Sequence, residues 1–215
     1  MSNFYVEIVA FILNISGWVL VCSTLPMDYW KVYSLDGVVL ATATYWSNLW
    51  KTCVMDLTGV SDCKGFPSLL ALDGRLFFML IECLGYIHTC RGLMIAAVCL
   101  GFFGSAFALF GMKCTKIGGS ERTNGRITCV AGVDFILSGL CSLSAFSIYA
   151  NQITSEFFDP KFFGQKYELG AALYIGFGGS VLCIIGGSML CFSFTNSFTK
   201  RFVHSQENSI YNGAA

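Results

Sequence analysis

The segment YWSNLWKTCVMDLTGVSDC, residues 45–63, differs in composition from the apolar chain around it. It contains two of the four tryptophans, two of the eleven cysteines and two aspartates. The stretch NLWKTCVM has the β-branched and aromatic residues typical of a strand, DLTG is a turn sequence, and VSDCK reads as a returning strand. The segment therefore predicts two neighbouring antiparallel strands, each of which carries one cysteine.

The preceding stretch, WKVYSLDGVVLATATYW at residues 30–46, predicts a further hairpin. Asp36 opens an Asp-Gly pair between β-branched and aromatic runs, which is a strong hairpin signal. Together the two stretches predict a small antiparallel sheet. Trp30, Trp46 and Trp50 have two interpretations that the sequence leaves open, because their rings either anchor the sheet at lipid headgroups or pack within it.

The rest of the chain has the composition of a membrane protein. It is 55% hydrophobic and 12% charged, whereas soluble domains carry roughly 25% charged residues. Four apolar stretches are each long enough to cross a hydrocarbon core of about 30 Å as a helix. They predict an all-α four-helix transmembrane bundle with a small extracellular antiparallel β-sheet, in a single domain over 1–215. The predicted helices are residues 6–25, 92–112, 127–150 and 169–194.

Basic residues near the helix ends indicate the orientation, since cytoplasmic loops carry an excess of Lys and Arg. The connection KCTKIGGSERTNGR, residues 113–126, has four basic residues and one acid, and two more basic residues follow the fourth helix. We therefore expect both termini to be cytoplasmic, including the tail 195–215. The loops 26–86 and 151–168 are then extracellular.

Several classes of function are excluded by what the sequence lacks. The formal net charge is +0, and there is no clustered basic face, so a nucleic-acid partner is not expected. There are only two histidines, no metal-ligand spacing, no G-x-S-x-G and no phosphate loop. We therefore expect neither an enzyme nor a bound cofactor or metal.

The two cysteines of the quoted segment are expected to form a disulfide. An extracellular loop lies in an oxidising compartment, where Cys53 and Cys63 would pair to close a short ring. A pair of free thiols is the alternative. The remaining cysteines mostly lie in the predicted helices, where they are interpreted as small apolar side chains.

The same segment resembles a known family. Trp46, Leu49, Trp50, Cys53 and Cys63 are similar to the W-x-x-G-L-W-C-C signature of the claudins, four-helix proteins of the tight junction. Asn48 stands where most members have glycine. Trp30 and the Arg91 of YIHTCRGLMIAAV extend the likeness, which covers almost the whole chain. The short signature is shared with peripheral myelin proteins and with gamma subunits of calcium channels, so a regulatory subunit of another membrane channel is the alternative function.

The resemblance implies a five-stranded extracellular sheet above the bundle and self-association within one membrane and between two. It implies a structural and adhesive protein at the plasma membrane of epithelial cells, associating with other claudins and sealing or lining paracellular ion pathways. Claudins use their second extracellular loop for contact between cells. An exposed aromatic cluster usually marks a contact surface, although packing against the helix ends is the alternative. The candidate contact residues are Phe157, Phe158, Pro160 and Phe162.

Charge in the first loop predicts which ions pass. Loop 26–86 has six acids and four basic residues, so it is net negative by two and should favour small inorganic cations. In claudins, residues between the two cysteines and just beyond them tend to set the preference. The first candidate is Asp56 and the second is Asp36, although each also suits a turn. Asp62 and Lys64 are the other two candidates.

Two features depart from the family pattern. Residues 75–85, RLFFMLIECLG, have no counterpart in it, and their origin as a structural element or as a splicing or gene-prediction product stays open. As a helix, eleven residues turn about 20° beyond three full turns, which nearly preserves the helix face. The chain ends at Ala215 without the tyrosine-valine type of terminus, so binding to a PDZ scaffold is not expected.

Overall fold

The computed structural model describes residues 2–33, 44–55, 59–65, 77–111, 121–158 and 168–213. Within these residues there are four helices and five strands. The helices are α1 (Ser2–Thr24), α2 (Phe77–Gly111), α3 (Glu121–Phe158) and α4 (Ala171–Gly213). The strands are β1 (Lys31–Tyr33), β2 (Thr44–Ser47), β3 (Lys51–Met55), β4 (Ser61–Gly65) and β5 (Glu168–Leu169).

Each helix contains a segment that is long and apolar enough to cross a membrane. These helices have no strongly polar face, as expected for helices that are surrounded by lipid. The predicted class, a four-helix transmembrane bundle with a small antiparallel sheet, is confirmed. The four segments are Tyr5–Thr24, Gly85–Gly111, Thr123–Ser155 and Ala171–Asn196.

Helix α2 begins earlier than the sequence predicts. The predicted start at residue 92 is wrong, because the helix already begins at Phe77. The missed extension, FFMLIECLGYIHTCR at residues 77–91, is itself largely apolar and contains no proline, so backbone hydrogen bonding continues through it. Residues 77–86 therefore belong to a helix and not to the predicted loop 26–86. The segment 75–85 is helical from Phe77 onwards.

The same correction applies to the other helices. Helix α1 begins at Ser2, and α3 extends the predicted 127–150 at both ends, so residues 151–158 are helical and do not belong to the second loop. Helix α4 begins at Ala171 and continues to Gly213 through most of the predicted tail. No proline interrupts these extensions.

The strands form one antiparallel sheet in the order β4-β3-β2-β1-β5. Cys53 lies opposite Trp46 on one side and Cys63 on the other. The predicted sheet is confirmed, with the five strands that the family resemblance implies. The Asp-Gly turn, residues 36 and 37, lies outside the described residues. Strand β5 immediately precedes α4 and pairs with β1, so it joins the sheet to the start of that helix.

A glycine makes that junction possible. The backbone N–H of Gly170 donates to the Trp30 carbonyl at 2.9 Å, and Ala172 N–H donates to the Tyr29 carbonyl at 3.2 Å. A Cβ at position 170 would collide with the Tyr29 carbonyl group. The two backbones can approach this closely only because Gly170 has no side chain.

Contacts divide the chain into two compact units, to each of which all four helices contribute a part. The single domain stays a prediction. The unit that contains the sheet, residues 19–96 and 141–180, has an aromatic core. Trp30 is fully buried in it and its ring centroid lies 5.2 Å from those of both Phe146 and Tyr149.

The second unit, residues 1–18, 97–140 and 181–215, is packed through small residues. A Cβ at Gly132 would come within 2.8 Å of the Gly187 carbonyl oxygen, so α3 and α4 approach closely there. Small residues at such contacts let membrane helices gain van der Waals packing where no hydrophobic effect drives them together. Phe135 and Leu190 are the larger buried side chains of this core.

Candidate functional site

The sheet is fixed to the helical residues of its own unit by the first tryptophan of the family signature. Trp30 lies six residues after the end of α1, and its Nε1 donates to the Thr24 carbonyl at 2.8 Å. The rest of the ring is buried against Phe146 and Tyr149. The indole therefore has both an apolar environment and a partner for its only donor. Of the two interpretations for this tryptophan, packing is correct.

The other two signature tryptophans differ from each other. Trp46 is buried, and its ring centroid lies 6.2 Å from that of Tyr29. Trp50 is exposed, but the guanidinium carbon of Arg91 lies 4.9 Å from its ring centroid. Trp46 thus packs at the sheet, whereas Trp50 stacks with a cation from α2.

Arg91 also binds the backbone of the turn between β2 and β3. Its Nε donates to the Leu49 carbonyl at 2.7 Å, while the Leu49 side chain is fully buried in the core. The planar guanidinium can hydrogen-bond and stack at the same time, which a lysine ammonium does not do. Leu49, Trp50 and Arg91 therefore form one contact between α2 and the sheet.

The disulfide Cys53–Cys63 is present in the sheet. Its two residues lie directly opposite each other on β3 and β4, with 4.1 Å between their Cα atoms. Cys53 is buried and Cys63 is exposed. The bond therefore attaches the edge strand β4, all of whose residues are exposed, to a strand inside the sheet.

The sequence identified Asn48 as a departure from the family but did not assign it a role. The structure shows it buried, with its Oδ1 accepting from the backbone N–H groups of Trp50 at 2.8 Å and Lys51 at 2.9 Å. Its Nδ2 donates to Asp28 Oδ1 at 2.9 Å. Lys51 Nζ lies 3.2 Å from the same oxygen. Asn48 thus organises the β2–β3 turn, and Asn in turns commonly binds backbone N–H groups in this way.

Of the four predicted pore charges, Asp62 and Lys64 are described. Both are exposed on β4, and because alternate strand residues face the same side, they share one face of the sheet. The spacing along a strand separates them by about 7 Å. Asp36 and Asp56 lie outside the described residues.

Of the four predicted contact residues, Phe157 and Phe158 are described, at the end of α3, and Pro160 and Phe162 lie outside the described residues. Both phenylalanines are exposed, and Phe158 is 74% accessible. They line a groove of about 340 Å³ together with residues of β5 and α4. An exposed apolar surface of this kind suits contact with another molecule.

The described residues include no group of three His, Cys, Asp or Glu side chains that could hold a metal ion. Cys90 donates its thiol to the Ala145 carbonyl at 3.3 Å and is fully buried in the core. Its role is packing between α2 and α3, where it behaves as a small apolar side chain.

Comparisons with known proteins agree with this architecture. A family model described as PMP-22/EMP/MP20/Claudin family matches residues 4–190. Claudin-10 of Homo sapiens is 61% identical over 211 residues, which cover 98% of this chain and 88% of that protein. Claudin-10 of Mus musculus is 60% identical over 214 residues, 99% of this chain and 86% of that protein.

More distant relatives include claudin-15 of Rattus norvegicus, which is 41% identical over 183 residues, covering 85% of this chain and 76% of that protein. The matches extend over both the sheet and the helices, so they do not depend on the short signature alone. The chain therefore belongs to the claudin family, and it is a multi-pass membrane protein of the tight junction with a structural and not an enzymatic role.

Proposed function

We propose that this claudin forms a paracellular pathway that prefers small inorganic cations. The observation that carries the proposal is the negative charge of residues 26–76, which remain of the predicted loop before α2 and have five acids against four basic residues. The structure pairs one residue of each sign, since Lys51 Nζ lies 3.2 Å from Asp28 Oδ1. Without that pair, four acids remain against three basic residues, and the segment is still negative by one.

Asp56 is the first candidate for setting the preference and Asp36 is the second. Asp62 and Lys64 share an exposed face of β4, so their charges partly offset each other and Lys64 moderates the negative field. A unit charge at 4 Å is worth about 1 kcal/mol in water and about 4 kcal/mol at an effective dielectric of 20. Even the smaller value changes an ion ratio about fivefold.

The family implies self-association and association with other claudins, and we propose the residues for contact between cells. Phe157 and Phe158 support this role because they present exposed rings at the end of α3. Pro160 and Phe162, which follow Phe158 in the sequence, complete the proposed surface. Replacing Phe158 with serine should reduce enrichment of the protein at contacts between transfected cells, with Phe192→Ser as the control for an exposed ring elsewhere.

We further propose that both termini are cytoplasmic and that the bilayer surrounds the four spans. Arg126 is exposed near the start of α3, and Lys200 and Arg201 follow the α4 span, which ends at Asn196. Such basic flanks favour the cytoplasmic side. An epitope tag at either terminus should be labelled only after cells are permeabilised, and labelling of intact cells would contradict the orientation.

The experiment for the main proposal measures dilution potentials across epithelial monolayers that express each protein. The sodium-to-chloride permeability ratio of the wild type should exceed that of untransfected monolayers. Asp56→Asn and Asp36→Asn should lower the ratio roughly two- to fivefold, and Lys64→Ala should raise it. Glu207→Gln, a charge change in the predicted tail, is the control and should leave the ratio unchanged.

Tight-junction strands must be imaged for every variant, so that lost strands are not mistaken for lost selectivity. A wild-type preference for chloride contradicts the proposal, as does an unchanged ratio after both aspartates are neutralised. A regulatory subunit would instead change the current of a co-expressed channel without changing the conductance of the monolayer.

A further inference from the structure

Two free cysteines meet between α3 and α4, in the unit that is packed through small residues. Cys129 lies on α3 and Cys191 lies on α4, and both are half-buried free thiols. The thiol of Cys191 donates to the backbone carbonyl oxygen of Cys129 at 3.8 Å, and the two side chains also contact each other. We call these two residues the α3–α4 thiol pair.

The backbones of the two helices approach each other closely beside this pair. A Cβ at Gly187 would come within 2.6 Å of the Gly132 carbonyl oxygen, and a Cβ at Gly132 would come within 2.8 Å of the Cys191 Sγ. The Cys191 side chain therefore lies in space that Gly132 leaves open. Two cysteines can be joined without backbone movement only where their Cα atoms are within about 7 Å, and small residues at a helix contact allow such an approach.

The direction of the helices brings the two cysteines level with each other. A Cβ at Gly125 would lie 3.0 Å from the ring of Phe194, while Gly132 meets Gly187, so residue numbers fall along α4 as they rise along α3. The helices are therefore antiparallel in this unit. Residue 129 is about one turn before Gly132 on α3, and residue 191 is about one turn after Gly187 on α4. The two thiols thus lie on the same side of the glycine contact.

Both thiols belong to apolar membrane-spanning segments. Cys129 is six residues after the start of the α3 span at Thr123, and Cys191 is five residues before the end of the α4 span at Asn196. Apolar surroundings disfavour a thiolate and favour the neutral thiol. An oxidant that reacts with the thiolate, such as hydrogen peroxide, should therefore act slowly on this pair. A radical that takes a hydrogen atom reacts with the neutral thiol.

We propose that lipid peroxyl radicals oxidise the α3–α4 thiol pair to a disulfide that joins α3 to α4. A first peroxyl radical takes the hydrogen atom of one thiol, so an S–H bond breaks, an O–H bond forms, and a lipid hydroperoxide and a sulfur-centred radical remain. A second peroxyl radical takes the hydrogen atom of the other thiol, and the two sulfur radicals combine. Two thiols and two peroxyl radicals thus give one disulfide and two lipid hydroperoxides. The proposal rests on the placement of the spans in the bilayer and not on the ion preference.

The test uses the purified full chain in vesicles of a polyunsaturated phosphatidylcholine. A lipid-soluble azo initiator generates peroxyl radicals there in the presence of dioxygen, and the protein is then digested without reduction and analysed by mass spectrometry. The wild type should give two peptides joined through Cys129 and Cys191, which a phosphine reductant separates. Tocopherol, which consumes peroxyl radicals, should prevent the link.

The pH dependence of the rate separates hydrogen-atom transfer from reaction through a thiolate. Below the ordinary thiol pKa of about 8.5, the thiolate fraction rises about tenfold for each pH unit, whereas the neutral fraction hardly changes. The rate of cross-linking should therefore differ by less than about twofold between pH 6 and pH 7. A rise of about tenfold over this interval would overturn the radical as the oxidant.

Three variants test the site. Cys129→Ser and Cys191→Ser should each abolish the cross-link, because a single thiol has no partner for the disulfide. Cys141→Ser is the matched control, since Cys141 is also a half-buried free thiol on α3, and its cross-link should equal that of the wild type. Thermal unfolding midpoints before oxidation confirm that each variant is folded. Oxidation should raise the midpoint of the wild type and of Cys141→Ser but not of the other two variants.

No joined peptides in the wild type, in vesicles whose lipid has been oxidised, would overturn the proposal. A cross-link that forms equally in the presence of tocopherol would overturn it as well, because peroxyl radicals are then not the oxidant. A fatty acyl thioester on Cys191 in protein isolated from cells would likewise exclude the reaction, since no thiol would remain there to lose a hydrogen atom.

Discussion

The Nε of Arg91 donates a 2.7 Å hydrogen bond to the backbone oxygen of Leu49, and the same guanidinium lies over the ring of Trp50. One side chain of α2 thereby holds the turn between β2 and β3. This turn contains Leu49, whose side chain is buried in the core. Placement of the sheet therefore depends on a contact between residues that are distant in sequence.

Replacing Arg91 with lysine should destabilise the protein although the charge is kept. The variant loses the Nε donor and the planar stacking on Trp50, at a cost of about 1–3 kcal/mol. The measurement is the thermal unfolding midpoint in detergent. Arg126→Lys, an exposed position on α3, is the control and should unfold with the wild type. If Arg91→Lys and Arg126→Lys both unfold at the midpoint of the wild type, the contact of Arg91 contributes little to stability.

Replacing Asn48 should lower the stability of the protein more than breaking the ion pair beside it. Asn48→Ala leaves the partly buried N–H groups of Trp50 and Lys51 without their acceptor, which costs about 1–3 kcal/mol. Asp28→Asn keeps an oxygen that accepts from Asn48 and loses only a partly exposed ion pair, worth about 0–1 kcal/mol. The midpoint should therefore fall further for Asn48→Ala. The reverse order would contradict this interpretation of the turn.

Gly170→Ala should lower the stability of the protein more than most substitutions that add a single methyl group. Its Cβ would collide with the Tyr29 carbonyl, and neither backbone can retreat without losing the 2.9 Å hydrogen bond from Gly170 to Trp30. The matched control is Gly178→Ala on α4, where nothing lies within 4 Å of the added carbon. The control should be neutral or should raise stability by up to about 1 kcal/mol, since alanine favours a helix. Unfolding midpoints that do not separate the two variants would refute the close approach.

The disulfide should be required for delivery to the cell surface. Mass spectrometry without reduction should show Cys53 joined to Cys63, and Cys53→Ser should be retained inside the cell. The physical reason is that a small sheet with an exposed edge strand gains stability when its unfolded chain is constrained, by about 3 kcal/mol for a loop of 15 residues. Cys99→Ser, which changes an exposed free thiol, should be delivered normally. Free thiols at Cys53 and Cys63 in protein that has reached the cell surface would contradict the prediction.

Deleting residues 75–85 should give a folded protein that reaches the surface better than the full chain. As a helix, eleven residues would amount to three turns plus about 20°, so the chain before the deletion would meet the helix on nearly the same side. Deleting only residues 77–85 is the control, since nine residues amount to two and a half turns and bring the chain to the opposite side. If the longer deletion abolishes surface delivery while the full chain reaches junctions, the segment is a required structural element.

The sequence by itself determined the fold class and most of the sheet. Runs of about 20 apolar residues are sufficient to predict membrane helices, because lipid leaves the backbone no other hydrogen-bond partners. Runs of β-branched and aromatic residues, separated by turn sequences, were sufficient to predict a small sheet around Cys53 and Cys63. The sequence did not determine where the helices end. Backbone hydrogen bonding in α4 continues past the apolar residues that signal a span, and α2 begins inside the apolar segment 75–85, whose structure the sequence left open.

Only the tertiary structure decided what the individual site residues do. Trp30, Trp46 and Trp50 have the same chemistry, yet the first two are buried and the third is exposed beneath Arg91. Asn48 is a departure from glycine in the sequence; its Oδ1 binds two neighbouring N–H groups of the turn, and its Nδ2 binds Asp28, twenty residues away. Burial, hydrogen-bond partners and the groove beside α3 all arise from residues that are far apart in the chain. A local pattern contains no information about which of them meet.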